Sequence, residues 1–238
     1  MKEFSFTWTN LKTYMEAYVR AGYHVIRCQD YLDYKRNNTK HKIVVNRVDV
    51  DVSVKKVERI LDIFSALDIK ATFFIRLHAN EYNAFSFENY RILKAVRDAG
   101  HEIGYHSEII DQAMIWQENP AICLRRDLIL LNEMLGIKTV GVASHGGMTA
   151  LNNLDFWKNN KPKEFGLLYE AYDKEPEFNL FEESFYISDS SWIYWKAYQN
   201  GILIPNDHRT PAEHAQDGHP VIYSLIHPET YYDKHIYE

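Results

Sequence analysis

Residues 46–53, Asn-Arg-Val-Asp-Val-Asp-Val-Ser, alternate polar and apolar with a period of two. A strand here carries Arg47, Asp49, Asp51 and Ser53 on one face and Val48, Val50 and Val52 on the other. Immediately afterwards the period changes. Val54, Val57, Ile60, Leu61, Phe64 and Leu67 recur at helical spacing, which predicts an amphipathic helix. The same alternation of short apolar runs with helical stretches continues. "ATFFIRL" predicts a strand, "SFENYRILKAVRDAG" a helix capped by Ser86 and ended by Gly100, and "HEIGYH" a strand. "NPAICLRRDLILLNEMLG" predicts a helix with Asn119 as cap, Pro120 in the first turn and Gly136 at its end, and "KTVGVAS" predicts a strand.

Upstream, a helix is expected over about 10–21, capped by Thr9 or Asn10 and stopped by Gly22. A short strand at "HVIRC" and a polar turn through "KRNNTKHK" follow. The second half is less regular, with strands expected at "FGLLYEAY", "ESFYISD", "GILIP" and "PVIYSLIHP". Strand–helix–strand order implies a parallel sheet with crossover helices. With no internal repeat and no linker rich in Gly, Pro or Ser, residues 1–238 read as one domain, residues 1–40 forming an N-terminal extension packed on it.

Central strands of a parallel sheet are covered on both faces and read as apolar runs. A polar face on the strand at 46–53 therefore lines a cavity or a barrel mouth, the bland alternative being a solvated edge strand. Polar residues at other predicted strand ends extend the set: His106 with Ser107 and Glu108, then Ser144 and His145, then Asp189, and finally His227. Sites in α/β folds gather where strands end. Each residue alone has a structural reading, as a hydrogen-bonded histidine or a turn cap. Together, carboxylates and neutral imidazoles suit a divalent metal such as zinc, and a spare carboxylate and histidine could serve as base and acid.

Composition narrows the partners. Formal net charge is −6 and no long Lys/Arg run occurs, against nucleic acid as the main partner. No stretch reaches the roughly 18 apolar residues of a membrane span, and no signal-peptide core is visible, so a cytoplasmic location is expected. Cys28 and Cys123 stand alone and read as reduced core residues. Aromatic content of 14% would suit sugar stacking as well as core packing.

"RVDVDVS", "IKATFFI" and "AVRDAGHEIGYHSE", in that order, resemble the polysaccharide deacetylase superfamily, carbohydrate esterase family 4 (NodB-like). "SLIHP" at 224–228 resembles its late histidine strand, and "SDSSW" at 188–192 echoes its Asp/Trp motif. The resemblance implies an α/β fold, a distorted (β/α) barrel with parallel strands, and a divalent metal, most readily Zn²⁺. It also implies hydrolysis of an acetyl group from a sugar or polysaccharide precursor. Carried over, Asp49 matches the catalytic base, Asp51 the metal aspartate, His106 the first metal histidine and His227 the general acid.

Three departures stand out. The two acidic residues are separated by Val50 where the family has them adjacent, so the base and ligand roles of Asp49 and Asp51 could be exchanged. The position of the second metal histidine holds Ile110, leaving Glu108, Asp111 or His145 as third ligand, with His145 favoured by its "ASHGG" loop. The family's arginine is missing from its usual strand, and Arg47 could replace it beside Asp49. The Asp-x-Asp and "SHGG" variant resembles a subgroup linked to surface-polysaccharide and O-antigen biosynthesis, acting on a nucleotide- or lipid-linked sugar.

Two other readings compete. "VDVDVS" also fits the opening of a Mg²⁺-dependent aspartyl phosphatase of the haloacid dehalogenase kind, with Asp49 as nucleophile. A sugar-binding pseudoenzyme would explain the altered histidine and arginine.

Overall fold

A computed structural model describes residues 6–37 and 40–237. The sequence extension therefore falls partly outside the described residues, at 1–5 and 38–39. The first helix, α1, spans Trp8–Arg20, earlier than its pattern suggested. Its cap is Thr7, whose hydroxyl accepts from Asn10 N, rather than Thr9 or Asn10. Trp8, Leu11, Met15 and Tyr18 are buried, so packing extends the helix past the two polar residues that looked like its start. Strand β1, His24–Ile26, leads into α2, Cys28–Arg36, a helix the sequence pattern did not predict, which takes in only the first two residues of the turn expected over 35–42.

The alternating stretch forms β2, Ile43–Val50. Helices α3 (Val57–Ala66) and α4 (Phe87–Asp98) flank β3 (Thr72–Ile75), and β4 (Glu102–Ser107) follows. Ser86 caps α4 and Asn119 caps the later α6, Pro120–Leu135, as expected from sequence. A short helix, α5 (Ile109–Trp116), intervenes before α6. Its apolar outer residues Met114, Ile115 and Trp116 blurred the polar–apolar contrast. The remaining strands are β5 (Gly141–Ser144), β6 (Tyr169–Glu170), β7 (Phe185–Ser188), β8 (Lys196–Gln199), β9 (Ile202–Leu203) and β10 (Val221–Ile226). The apolar run at 165–172 thus yields only a two-residue strand.

Strands follow the spatial order β6-β5-β4-β3-β2-β10-β7-β8-β9, with β1 beside the first residues of β2. All pairings are parallel except β7–β8 and β8–β9. This is an α/β fold with a mostly parallel sheet whose ends do not close by strand pairing. The sheet nevertheless curls: Tyr223 on β10 reaches the carbonyl of Ala171 beyond β6 at 3.4 Å, and Tyr172 OH lies 3.3 Å from Tyr186 OH on β7.

The period-two pattern distributes strand residues between two cores. Val44, Val48 and Val50 face the helices, with Phe73, Ile103 and Val142 from neighbouring strands. Ile43, Val45, Phe74, Ala143, Tyr169, Tyr186 and Tyr223 fill the inside of the curl. Gly141 has to be glycine here, because a Cβ would lie 2.1 Å from the buried Tyr169 ring. Cys28 and Cys123 are free and buried, and among the described residues no helix is long and apolar enough to cross a membrane.

Candidate active site

At the C-terminal end of β2 the inner face turns polar. Arg47 and Asp49 point into the curl directly after Ile43 and Val45, because side chains of one strand alternate without exception over this run. Both are almost fully buried, 1% and 2% exposed. The guanidinium grips the carboxylate with two bonds, Nε to Oδ1 at 2.7 Å and Nη2 to Oδ2 at 2.6 Å. Its centre lies 4.7 Å from the Tyr172 ring centroid and 5.3 Å from that of Phe74, which fixes the plane of the fork. Burial works against charge on Asp49, but Arg47, then His106, outweighs it and holds the carboxyl below its ordinary range.

Asp51 lies just past the strand, in a turn anchored by Glu229, whose carboxylate accepts from Val52 N and Ser53 N at 2.6 and 2.7 Å. Around Asp51 stand three imidazoles from three strand ends. His106 Nε2 is 3.2 Å from Asp51 Oδ1 and 3.3 Å from Asp49 Oδ2, while its Nδ1 faces the carbonyl of Ala143 at 2.8 Å. That carbonyl can only accept, so Nδ1 carries a hydrogen and Nε2 is the nitrogen turned to the carboxylates. Burial opposes charge on the ring, but Asp49 and Asp51 raise its pKa. His145 Nε2 stands 4.0 Å from Asp51 Oδ2, and its ring is nearly perpendicular to that of His106, at 81°. His227 Nε2 is 3.7 Å from the same oxygen, and its Nδ1 is 2.6 Å from Asp189 Oδ1. Asp189, fully buried, also accepts from the His227 backbone N–H at 2.9 Å. Burial opposes a charged His227, but Asp189, followed by Asp51 and Asp49, raises its pKa to about 10.

The predicted site residues Arg47, Asp49, Asp51, His106, His145 and His227 thus share one cavity of about 370 Å³. Two larger cavities, about 560 and 520 Å³, lie along residues 152–178 and lack this carboxylate–imidazole set. Of the alternatives to His145, Glu108 turns its carboxylate to Arg76, at 2.8 and 3.1 Å, and to His145 Nδ1, at 3.4 Å. Asp111 is spent on the backbone N–H groups of Met148 and Thr149 and on Asn153 Nδ2 at 2.7 Å. Ile110 packs against the core.

The donor types suit a divalent cation, although Asp51, His106 and His145 do not bring three ligand atoms within 4.8 Å of one another. Asp51 Oδ1 is a buried oxygen without a hydrogen-bond partner among the described residues, with His106 Nε2 3.2 Å away. Zinc ligands in a tetrahedron are about 3.3–3.5 Å apart. The His106–Asp51 gap falls just short of this spacing, and His145 would close by about half an ångström.

Sequence reasoning missed Arg76 and Glu170. Arg76 was visible as the charged residue directly after "ATFFI" and holds Glu108, while its Nη1 donates to the carbonyl of Asp51 at 2.7 Å. Glu170 accepts from Ser144 N and Tyr172 N, at 3.0 and 2.7 Å, and burial lifts its pKa to about 7. It followed a tyrosine in an apolar stretch, with no motif to single it out.

The family model for polysaccharide deacetylase matches residues 36–161. No curated protein sequence matches the chain. Among solved structures, a polysaccharide deacetylase from Bacillus cereus is 18% identical, with a TM-score of 0.49, over 79% of this chain and 80% of that one. A mutant of a CE4-family pseudoenzyme with restored enzymatic activity is also 18% identical, with a TM-score of 0.46. That match covers 79% of this chain and 57% of the pseudoenzyme's length. The chitin deacetylase of the fungal pathogen Colletotrichum lindemuthianum gives 19% identity and a TM-score of 0.34 over 52% of this chain and 62% of its own.

Proposed function

Because the chain belongs to the polysaccharide deacetylase family, whose model spans just over half of it, we propose that it is a metal-dependent hydrolase removing an acetyl group from a sugar or polysaccharide precursor. The observation that carries this reading is the convergence on Asp51 of His106, His145 and His227, beside a carboxylate gripped by Arg47. Asp51, His106 and His145 would hold the cation, zinc being the metal that best suits two nitrogens and one oxygen. When bound, it supplies Lewis acidity to the acetyl carbonyl and a more acidic water.

The protein's own residues then have distinct tasks. Asp49, kept ionised by Arg47, accepts a proton from water, and the fork prevents its carboxylate from rotating away. His227, kept protonated by Asp189, donates to the departing sugar nitrogen or oxygen. Trp192, which is exposed, lines the same cavity and could stack on a pyranose ring. The phosphatase reading needs a lysine and a second acidic pair at the site. The residues lining the cavity include neither, and Lys174 to Glu177 border the other two cavities instead.

Elemental analysis of the wild type beside Asp51→Ala and His106→Ala, after dialysis against a weak chelator, tests the site. Near-stoichiometric metal lost in both variants, together with acetate release from acetylated sugars that Asp49→Asn abolishes, is expected. A wild type holding no metal after reconstitution would sink the reading. Metal binding with sugar binding but no acetate release from the acetylated sugars tried would favour a sugar-binding pseudoenzyme.

A further inference from the structure

At the opposite end of the sheet, before β10 begins, the sequence His214-Ala-Gln-Asp217-Gly-His219 forms a second cluster. The donor atoms of His214, Asp217 and His219 lie within 4.8 Å of one another. Asp217 Oδ2 is 3.3 Å from His214 Nδ1 and 3.7 Å from His219 Nε2, spacings that bracket the roughly 3.3–3.5 Å between ligands of a tetrahedral zinc ion. His214 is fully buried, and His219 Nε2 is a buried nitrogen with no hydrogen-bond partner among the described residues.

The surroundings prepare these donors. Asp207 Oδ1 lies 3.4 Å from the far nitrogen of His214, which makes no hydrogen bond among the described residues. The His219 ring stacks on Phe185 at 4.0 Å and 10°, which fixes its direction. Arg209 places a guanidinium nitrogen 2.9 Å from Asp217 Oδ2, the oxygen a metal would use. The same arginine is held by Asp207 through two further bonds, and its side chain is 46% exposed. It can therefore release Asp217 without losing its anchor.

We propose that His214, Asp217 and His219 form a second metal site for zinc or a similar borderline cation, separate from the Asp51 site. It would tie the loop over 205–220 to the first residues of β7 and β10. The six residues of β10 separate the two sites by about 20 Å.

The test is zinc and cobalt titration of the full chain carrying Asp51→Ala and His106→Ala, so that the active-site ligands cannot contribute. Bound metal is counted after equilibrium dialysis at micromolar free metal, and melting is followed in parallel. One remaining equivalent, a rise in melting temperature with zinc, and loss of both on adding His219→Gln are expected. Asp217→Asn serves as an independent second removal should His219→Gln fail to fold. No retained metal in the Asp51→Ala/His106→Ala background, or binding indifferent to the removal that folds, would overturn the proposal. Because metal here is counted without the catalytic ligands, its failure is separable from failure of the deacetylase reading.

Discussion

Arg47 and Asp49, two residues apart on one strand, are joined by a two-bond fork of 2.6 and 2.7 Å, with both side chains buried. A regular strand makes such a pair neighbours on one face, and the ring faces of Tyr172 and Phe74 leave the guanidinium no other direction. Removing one partner leaves a buried charge uncompensated. Arg47→Ala is expected to destabilise the protein by about 3–5 kcal/mol in urea unfolding. A cost below about 1 kcal/mol would show that water or another cation replaces the guanidinium.

Asp189 acts on His227 from behind and is a positioning residue. Replacing it by Asn keeps the volume but removes the charge that orients the imidazole. Under the proposed deacetylase reading, Asp189→Asn should lower kcat by roughly 100-fold while KM changes little. An equal rise in KM with kcat preserved would mean that Asp189 shapes substrate binding instead.

Asp111 holds the loop that follows His145 by accepting from Met148, Thr149 and Asn153. Asp111→Ala would leave two backbone N–H groups without their acceptor and free the loop. If the Asp51 site holds a metal as proposed, a 10- to 100-fold loss of metal affinity is expected by the usual cost of losing such support. Competition with a chromophoric chelator measures it, and affinity equal to wild type would remove Asp111 from the site's scaffold.

His101, the first histidine of "GHEIGYH", is not among the active-site imidazoles. Its Nδ1 accepts from the Ala71 N–H at 3.1 Å, against the rings of Phe64 and Phe73. Burial, then Lys70 and Arg27, lowers its pKa from 6.5 to about 4. A folded-state pKa below the unfolded one gives stability that is complete above about pH 6.5 and lost as pH falls through 4. The shift corresponds to at most about 2–3 kcal/mol after allowing for its partly open edge. In His101→Asn, whose amide oxygen can accept the same N–H without titrating, unfolding free energy should be flatter between pH 6.5 and 4. An unchanged slope would assign the acid sensitivity elsewhere.

Much of this protein was legible in one dimension. The change from period two to period 3.6 located β2, α3, β3, α4, β4 and α6, because local burial forces side chains of one strand or helix onto fixed faces. The caps Ser86 and Asn119 and the stops Gly100 and Gly136 were readable because they satisfy their own helix ends. Asp49, Asp51, His106, His145 and His227 could be gathered as strand-end residues of a parallel sheet, and Arg47 as the neighbour of Asp49 on the alternating face. Other features depended on tertiary contacts. The helix over 28–36 has a weak pattern and is held by bonds to distant residues, such as Cys28 N to Thr72 Oγ1 at 2.8 Å. The order of strands, which places β10 beside β2, decided that His227 faces Asp51 across 176 residues of chain. Which acid turns to Arg76, which to a loop and which to three imidazoles was likewise decided in space. Spacing along a chain fixes which face a residue shares with its near neighbours, whereas only packing chooses its partner from the far end.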